Sequence, residues 1–325
     1  LSGVSWILTG IAILLALPLT VFILLIILFV HLRRNYLQYI ERGFQEIPLF
    51  NIPRGQPDPH AEDVRFPTFD GLTLAGCYFK TQAPRKGVIL FGLEFGSNRW
   101  SCREYCGHLI EAGYDVFAYE PRNHGDSDTE PNLEKMHWSM DRDVVDARAA
   151  IDYLKSRPDA DPRGIGLFGI SKGAGAGILT AADEPFIRCA VTDGMFAART
   201  TLVPYMRHWI TIYNKHYLIQ GLLPSWYYAW LADLAIAKVG RERGVQFLYL
   251  EPALRRFRRP LLMIHGQHDR YILPDMAKKL FDLARPPKEF WLIPGAKHNM
   301  GLQVAPAEYR QRVRDFFDRY LANIK

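Results

Sequence analysis

The stretch Ile165-Gly-Leu-Phe-Gly169-Ile-Ser171-Lys-Gly173-Ala-Gly-Ala-Gly177 constrains the fold more than any other part of the chain. A short apolar run, Ile165 to Phe168, breaks on Gly169-Ile-Ser171-Lys-Gly173 and continues into small residues that read as a helix from Ala174 to Ala182. A serine wedged between a buried strand and a helix sits on a turn tight enough to be strained. Only neighbours without side chains let the two backbones pass, which accounts for Gly169 and Gly173 two positions either side. Such a turn lifts the Ser171 hydroxyl to the top of a parallel sheet. It also aims the backbone N–H of Lys172 and the start of the next helix at the place where an oxyanion would form.

The surrounding pattern predicts the sheet that this turn needs. Val64 to Phe69, Leu72 to Phe79 and Gly87 to Phe91 read as strands, with Asp70-Gly71 as the hairpin turn between the first two. Strands at Asp115 to Tyr119, Ile187 to Thr192, Leu261 to His265 and Glu289 to Ile293 then alternate with helices. Those helices are expected at Cys102 to Ala112, Met140 to Lys155, Asp275 to Ala284 and Ala307 to Ala322. This rhythm implies an α/β fold, a mostly parallel eight-stranded sheet with helices on both faces and ligands at the C-terminal strand ends. From about residue 199 to 254 the alternation stops. Tyr205, Trp209, Tyr213, Tyr217, Trp226, Tyr227, Tyr228 and Trp230 fall in helical sequence, read as an inserted cap whose aromatics serve mainly as its own packing.

Upstream, Leu1 to Val30 holds no charged residue and is long enough to cross a bilayer, with Pro18 as a kink and Trp6 and His31 near the interfaces. It ends directly in His31-Leu-Arg33-Arg34 without the small-x-small exit of a cleaved signal, so an uncleaved anchor over residues 1–32 is expected. Arg33, Arg34 and Arg42 lie only on its C-terminal side, which by the positive-inside rule puts the main domain in the cytoplasm. Residues 33–60 carry Pro48, Pro53, Pro57 and Pro59 and read as a tether that shares no core with the domain at 61–325.

Composition removes several classes of function. The chain has 325 residues, 49% hydrophobic and 23% charged, which is ordinary for a folded protein. The net charge of +6 comes largely from Arg33, Arg34, Arg54 and the run Arg255-Arg256-Phe-Arg258-Arg259, and no basic stripe interleaved with stacking aromatics is present, so no nucleic acid partner is expected. Cys77, Cys102, Cys106 and Cys189 are scattered and read as buried free thiols, with neither a disulfide framework nor a zinc site. No metal or organic cofactor is implied.

A serine hydroxyl becomes a useful nucleophile when a base takes its proton. A histidine does this well when a carboxylate fixes its tautomer and steadies the imidazolium. Asp269, in Ile264-His-Gly-Gln-His-Asp269, and His298, in Pro294-Gly-Ala-Lys-His298, each lie just past a buried strand. The chain order Ser171, Asp269, His298 is that of a nucleophile-elbow fold. Asp193, also just past a strand, is the alternative acid.

With these motifs the sequence resembles the α/β-hydrolase superfamily over about residues 62–325. The likeness rests on Gly169-Ile-Ser171-Lys-Gly173, His265-Gly-Gln-His-Asp269, the loop around His298, and Pro121-Arg-Asn-His-Gly125-Asp-Ser127, which looks like the family's turn after its fourth strand. The elbow also looks like those of esterase, acyl-thioesterase and dienelactone-hydrolase-like branches. Most members carry a His-Gly pair after the third strand, leading to the second oxyanion donor; here that place reads Gly92-Leu-Glu94-Phe-Gly96. Because the donor is a backbone N–H, Glu94 is assigned the role, or Leu93 if the register slips by one. A carboxylate would repel an oxyanion, so the Glu94 side chain is expected to point elsewhere, with a contact to substrate left open. His124 and His265 are read as loop packing, and Lys172 as solvent-facing or salt-bridged.

The resemblance implies a serine hydrolase cleaving a carboxylic ester, or less readily a thioester or amide, through an acyl-enzyme, and the apolar run before it makes that hydrolase membrane-anchored. Its partners would be a small ester substrate, acyl or lipid-like given the aromatic cap, and the bilayer. The alternative is a non-catalytic member of the fold acting as a binding or scaffolding module.

Overall fold

The computed structural model describes residues 2–47, 52, 54–213 and 223–323. Tyr217, Pro48 and Pro53 lie outside them, as does the side chain of Tyr213. Eight strands form one sheet: β1 Ala61–Pro67, β2 Thr73–Phe79, β3 Gly87–Gly92, β4 Tyr114–Tyr119, β5 Ile165–Ile170, β6 Ile187–Asp193, β7 Leu261–Gly266 and β8 Lys288–Ile293. Their spatial order is β1-β2-β4-β3-β5-β6-β7-β8. β2 runs antiparallel to both β1 and β4, and every other neighbouring pair is parallel. The predicted strands match these within two residues except β1, which starts three residues earlier than expected, at Ala61, and Asp70-Gly71 makes the β1–β2 turn with Gly71 at φ 92°.

Ten α-helices are described: α1 Ser2–Gln45, α2 Cys102–Glu111, α3 Asp141–Ser156, α4 Lys172–Ala181, α5 Ala198–Tyr213, α6 Ser225–Arg243, α7 Leu250–Arg256, α8 Pro274–Leu283, α9 Gly301–Val304 and α10 Pro306–Phe317. The six inner strands β2 to β7 are buried on both faces, as near-continuous apolar runs in a parallel sheet must be, while the edge strands β1 and β8 are buried at only a few positions. Val88, Leu90 and Leu167 face one way and pack with Ala147 and Ile151 of α3 and Ile178 of α4. Ile89, Phe91 and Phe168 face the other way, against Tyr105 and Leu109 of α2 and Tyr309 and Phe317 of α10. The thiols of Cys77, Cys102, Cys106 and Cys189 are free and buried.

Between β6 and β7 lie α5, α6 and α7. The first two build a third apolar cluster with α1, separate from the two faces of the sheet. Two expectations change here. Helix α1 does not end near residue 32 but continues to Gln45, so the stretch read as the first part of a tether is helical. The reason is a stripe at helical spacing, Leu32, Tyr36, Ile40 and Phe44, which is turned onto the cap. The anchor and the domain therefore do share a core: Phe44 is wholly buried, stacked on Trp138 at 5.0 Å and edge-on to Phe247 at 4.9 Å. Upstream of this stripe the apolar side chains from Leu17 to Val30 that are described are mostly exposed, and Ala16–Gln45 is long and apolar enough to cross a membrane.

Candidate active site

Ser171 occupies the turn between β5 and α4 with φ 51° and ψ −116°, a region that residues with a side chain rarely enter. The turn holds because its backbone is pinned: Ser171 N donates to Asp193 O at 2.8 Å, and Ala174 N and Gly175 N donate back to Ser171 O. Gly169 and Gly173 are required by contact. A Cβ on Gly169 would run into the backbone of Ala174, and one on Gly173 into Gly92 C and Leu93 O. The second contact matters for chemistry, since it brings the loop after β3 against the first turn of α4.

The three candidate catalytic side chains meet at the C-terminal ends of β5, β7 and β8. Ser171 Oγ lies 3.1 Å from His298 Nε2. On the far side of the ring, Nδ1 donates to Asp269 Oδ2 at 2.6 Å. The other oxygen of Asp269 accepts from Tyr271 N and Ile272 N, both at 2.9 Å, so the carboxylate is fixed by backbone before it meets the imidazole. This arrangement selects the tautomer in which Nε2 carries the lone pair that faces the serine.

Asp193 is engaged differently. It is buried, and its Oδ2 accepts from Tyr309 Oη at 2.8 Å. Burial is the largest influence on it and lifts its carboxyl to about 6. The structure thus puts Asp269, not Asp193, on the histidine's Nδ1.

The remaining sequence candidates fall into place around this core. His265 Nε2 bonds Ile272 O at 2.8 Å and braces the Asp269 loop. His124 Nδ1 bonds Arg122 O at 2.9 Å, and burial, reinforced by the nearby Lys172 ammonium, pushes it down to about 4. The turn bearing His124 is itself locked by Arg122, which donates to Asp146, Asp70 and Glu130. Lys172 is not in solvent: its Nζ is buried, paired to Asp143 Oδ1 at 2.9 Å and bonded to Met136 O at 2.8 Å. Of its two expected placements, the salt-bridged one is found.

Glu94 is buried in the loop after β3, and its side chain is turned to the loop after β8, where Asn299 Nδ2 donates to its Oε2 at 3.0 Å. Burial raises its carboxyl to about 7, against the opposing pull of the Asn299 bond and of His298. Asn299 belongs to no motif in the sequence. Its one signal is a polar residue directly after the histidine, which here adopts φ 54°.

The described cap aromatics make packing contacts within the cap and with α1. Tyr227 and Tyr228 belong to the cap core, Trp209 lies against Gly43 of α1, and Trp226 meets Phe29. Tyr205 Oη donates to Arg270 O and Tyr271 O, which ties α5 to the Asp269 loop.

Known proteins agree with this architecture. The protein YfhR of Escherichia coli (strain K12) is 28% identical over 269 residues, covering 80% of this chain and 82% of its own. The thiohydrolase apmlB of Arthrinium phaeospermum is 30% identical over 132 residues, 40% of this chain and 42% of its own. Among solved structures, an esterase of Pyrococcus furiosus superposes with a TM-score of 0.61 at 22% identity, covering 85% of this chain and all of that one, which shows a shared fold. Residues 95–312, well over half of the chain, match the family model described as the alpha/beta hydrolase family. A sheet order, an elbow and a family match that all coincide leave one assignment: the chain belongs to the α/β-hydrolase family.

Proposed function

We propose that this protein is a serine hydrolase, held at a membrane by α1, that cleaves a carboxylic ester through an acyl-enzyme. The observation that carries the reading is Ser171 at φ 51° with its hydroxyl 3.1 Å from His298 Nε2. His298 takes the hydroxyl proton as Oγ bonds to the carbonyl carbon, and Asp269 steadies the resulting imidazolium. The oxyanion is met by the N–H of Lys172 and by that of Glu94 or Leu93 in the loop pressed against the elbow. The tetrahedral species then expels the alcohol, which leaves with the proton held on His298. A water molecule, deprotonated by the same nitrogen, attacks the acyl-serine and releases the acid while the proton returns to Ser171.

The likeness to a thiohydrolase brings a thioester forward as a second leaving group, since the same steps would expel a thiol. The membrane part is supported by the exposed apolar length of α1, and the basic residues Arg33, Arg34 and Arg42 after it favour a cytoplasmic domain. A fluorophosphonate probe tests the chemistry. Covalent labelling of the wild type that vanishes in Ser171→Ala is expected; a folded wild type that takes no label would overturn the reading in favour of a non-catalytic member of the fold.

A further inference from the structure

The place where the exposed apolar run of α1 ends is also the place where the cap begins. Tyr227 Oη donates to Phe29 O at 2.6 Å, and Phe29 stacks on the Tyr227 ring at 4.5 Å. Further along, Lys238 Nζ meets Glu41 Oε2 at 2.6 Å, Trp138 Nε1 donates to Phe44 O at 2.7 Å and Arg243 Nη2 to Gln45 Oε1 at 2.7 Å. These bonds tie α6 and its neighbours to α1 over roughly 24 Å at 1.5 Å per residue. The cap is therefore fixed in height relative to the apolar run, and does not hang from it on a flexible link.

At that height stand two indoles on one face of α6, four residues apart. Trp226 is 60% exposed and meets Phe29 edge-on at 5.6 Å. Trp230 is 39% exposed, and the Arg33 guanidinium sits over its ring at 5.8 Å. Phe29 and Arg33 are themselves one turn apart on α1, so an apolar-facing ring pair is followed, one turn on, by a ring paired with a cation. Nearby, Arg207 lies over Tyr228 at 5.2 Å. Large rings in water are costly unless something apolar covers them. Amphipathic rings next to Arg at the end of an apolar helix are the arrangement that suits the boundary between lipid tails and headgroups.

We propose that Trp226 and Trp230 at the start of α6 form an interfacial membrane-binding surface that seats the cap in the lipid headgroup layer, with Arg33 beside the phosphates. The inference rests on the reading of α1 as a membrane anchor and adds a second contact, one that belongs to the catalytic domain itself. Because Tyr205 of α5 is bonded to the loop carrying Asp269, the seated cap also holds the triad at a set distance from the bilayer. The substrate this favours is an ester already resident in the membrane.

The test uses the full chain in phosphatidylcholine nanodiscs, with an environment-sensitive thiol label placed singly by Leu24→Cys, Trp226→Cys or Phe69→Cys. Lipids spin-labelled deep in the acyl chain or near the headgroup serve as quenchers. The expected pattern is deep quenching at position 24, headgroup-level quenching at 226, and none at 69, which lies on the β1–β2 turn. Position 24 quenched while 226 behaves like 69 would overturn the interfacial surface and leave the anchor standing. Position 24 unquenched by any lipid would remove the anchor and this surface together. Self-quenching at 226 that grows with protein-to-lipid ratio, without lipid quenching, would make the patch a contact between copies and also overturn the proposal. Activity gives an independent arm: Trp226→Asp with Trp230→Asp should lower kcat/KM for a long-chain ester embedded in vesicles by about tenfold or more, and leave a short soluble ester within about twofold. Equal losses on both substrates would contradict it.

Discussion

Asn299 donates its side-chain amide to Glu94 Oε2 at 3.0 Å, joining the loop that would hold the second oxyanion donor to the loop that carries His298. The residues that come together are 205 apart in sequence. The bond shows how a carboxylate would be tolerated beside the proposed oxyanion: it is turned to Asn299 and raised to about 7 by burial, with the nearby Asp193 and Glu104 opposing its charge. Glu94→Gln should keep the bond's geometry and retain activity within about threefold, while Glu94→Ala should cost tenfold or so by freeing both loops. Steady-state kcat for the two variants checks this, and equal losses would mean that the charge, not the link, matters.

The same carboxyl gives a pH prediction. Its folded value, about 7, lies above the ordinary 4.5. The folded state therefore binds more protons than the unfolded state between those values, and stability falls as pH rises through that window. The wild type should lose on the order of 3 kcal/mol from this group between pH 4.5 and 7, and Glu94→Gln should lack that loss. Denaturant melts of both proteins across the window measure the difference, and parallel curves would contradict the assignment.

Asp269 and Asp193 separate the two possible acids. Asp269→Asn should lower kcat on the order of a thousandfold, because an amide would hold the imidazole in the wrong tautomer. Asp193→Asn should stay within about fivefold, since its carboxylate serves Tyr309. A reversed order of the two losses would move the triad acid to the end of β6.

Gly173→Ala tests the packing of the elbow on the loop after β3. A Cβ there meets backbone atoms of Gly92 and Leu93, which cannot rotate away as a side chain would. Lower thermal stability and at least a tenfold loss of kcat are expected. Unchanged values for both would mean that the two backbones are not in contact.

The docking of α1 predicts that the position of a truncation matters. Removing residues 1–27 keeps Leu32, Ile40 and Phe44 on the cap. Removing residues 1–45 strips that face and should lower Tm by about 5 °C or more, given the area of three buried apolar side chains. Equal melting of the two forms would show that the stripe adds nothing.

The sheet and the meeting of Ser171, His298 and Asp269 are legible because their signals are local. Ile165 to Phe168 is a short apolar run ending in glycine, and Asp269 and His298 each follow such a run directly. The helix beyond Val30 has its own signal, the four-residue spacing of Leu32, Tyr36, Ile40 and Phe44, which the nearby prolines mask by favouring a tether. What the sequence could not show were pairings across the fold. Trp138 finds the Phe44 carbonyl 94 residues away, Asn299 finds Glu94, and Lys172 finds Asp143 across the α3–α4 contact. Each of these depends on which loops the sheet order brings together, and single residues carry no mark of that.

Whether Ser171 and His298 act as one unit is measured by turnover of a soluble p-nitrophenyl ester by Ser171→Ala, His298→Ala and the double variant. Each single change is expected to lower kcat by about five orders of magnitude, with the double variant no slower than either. Turnover by Ser171→Ala within tenfold of wild type, or losses that multiply in the double variant, would contradict that expectation.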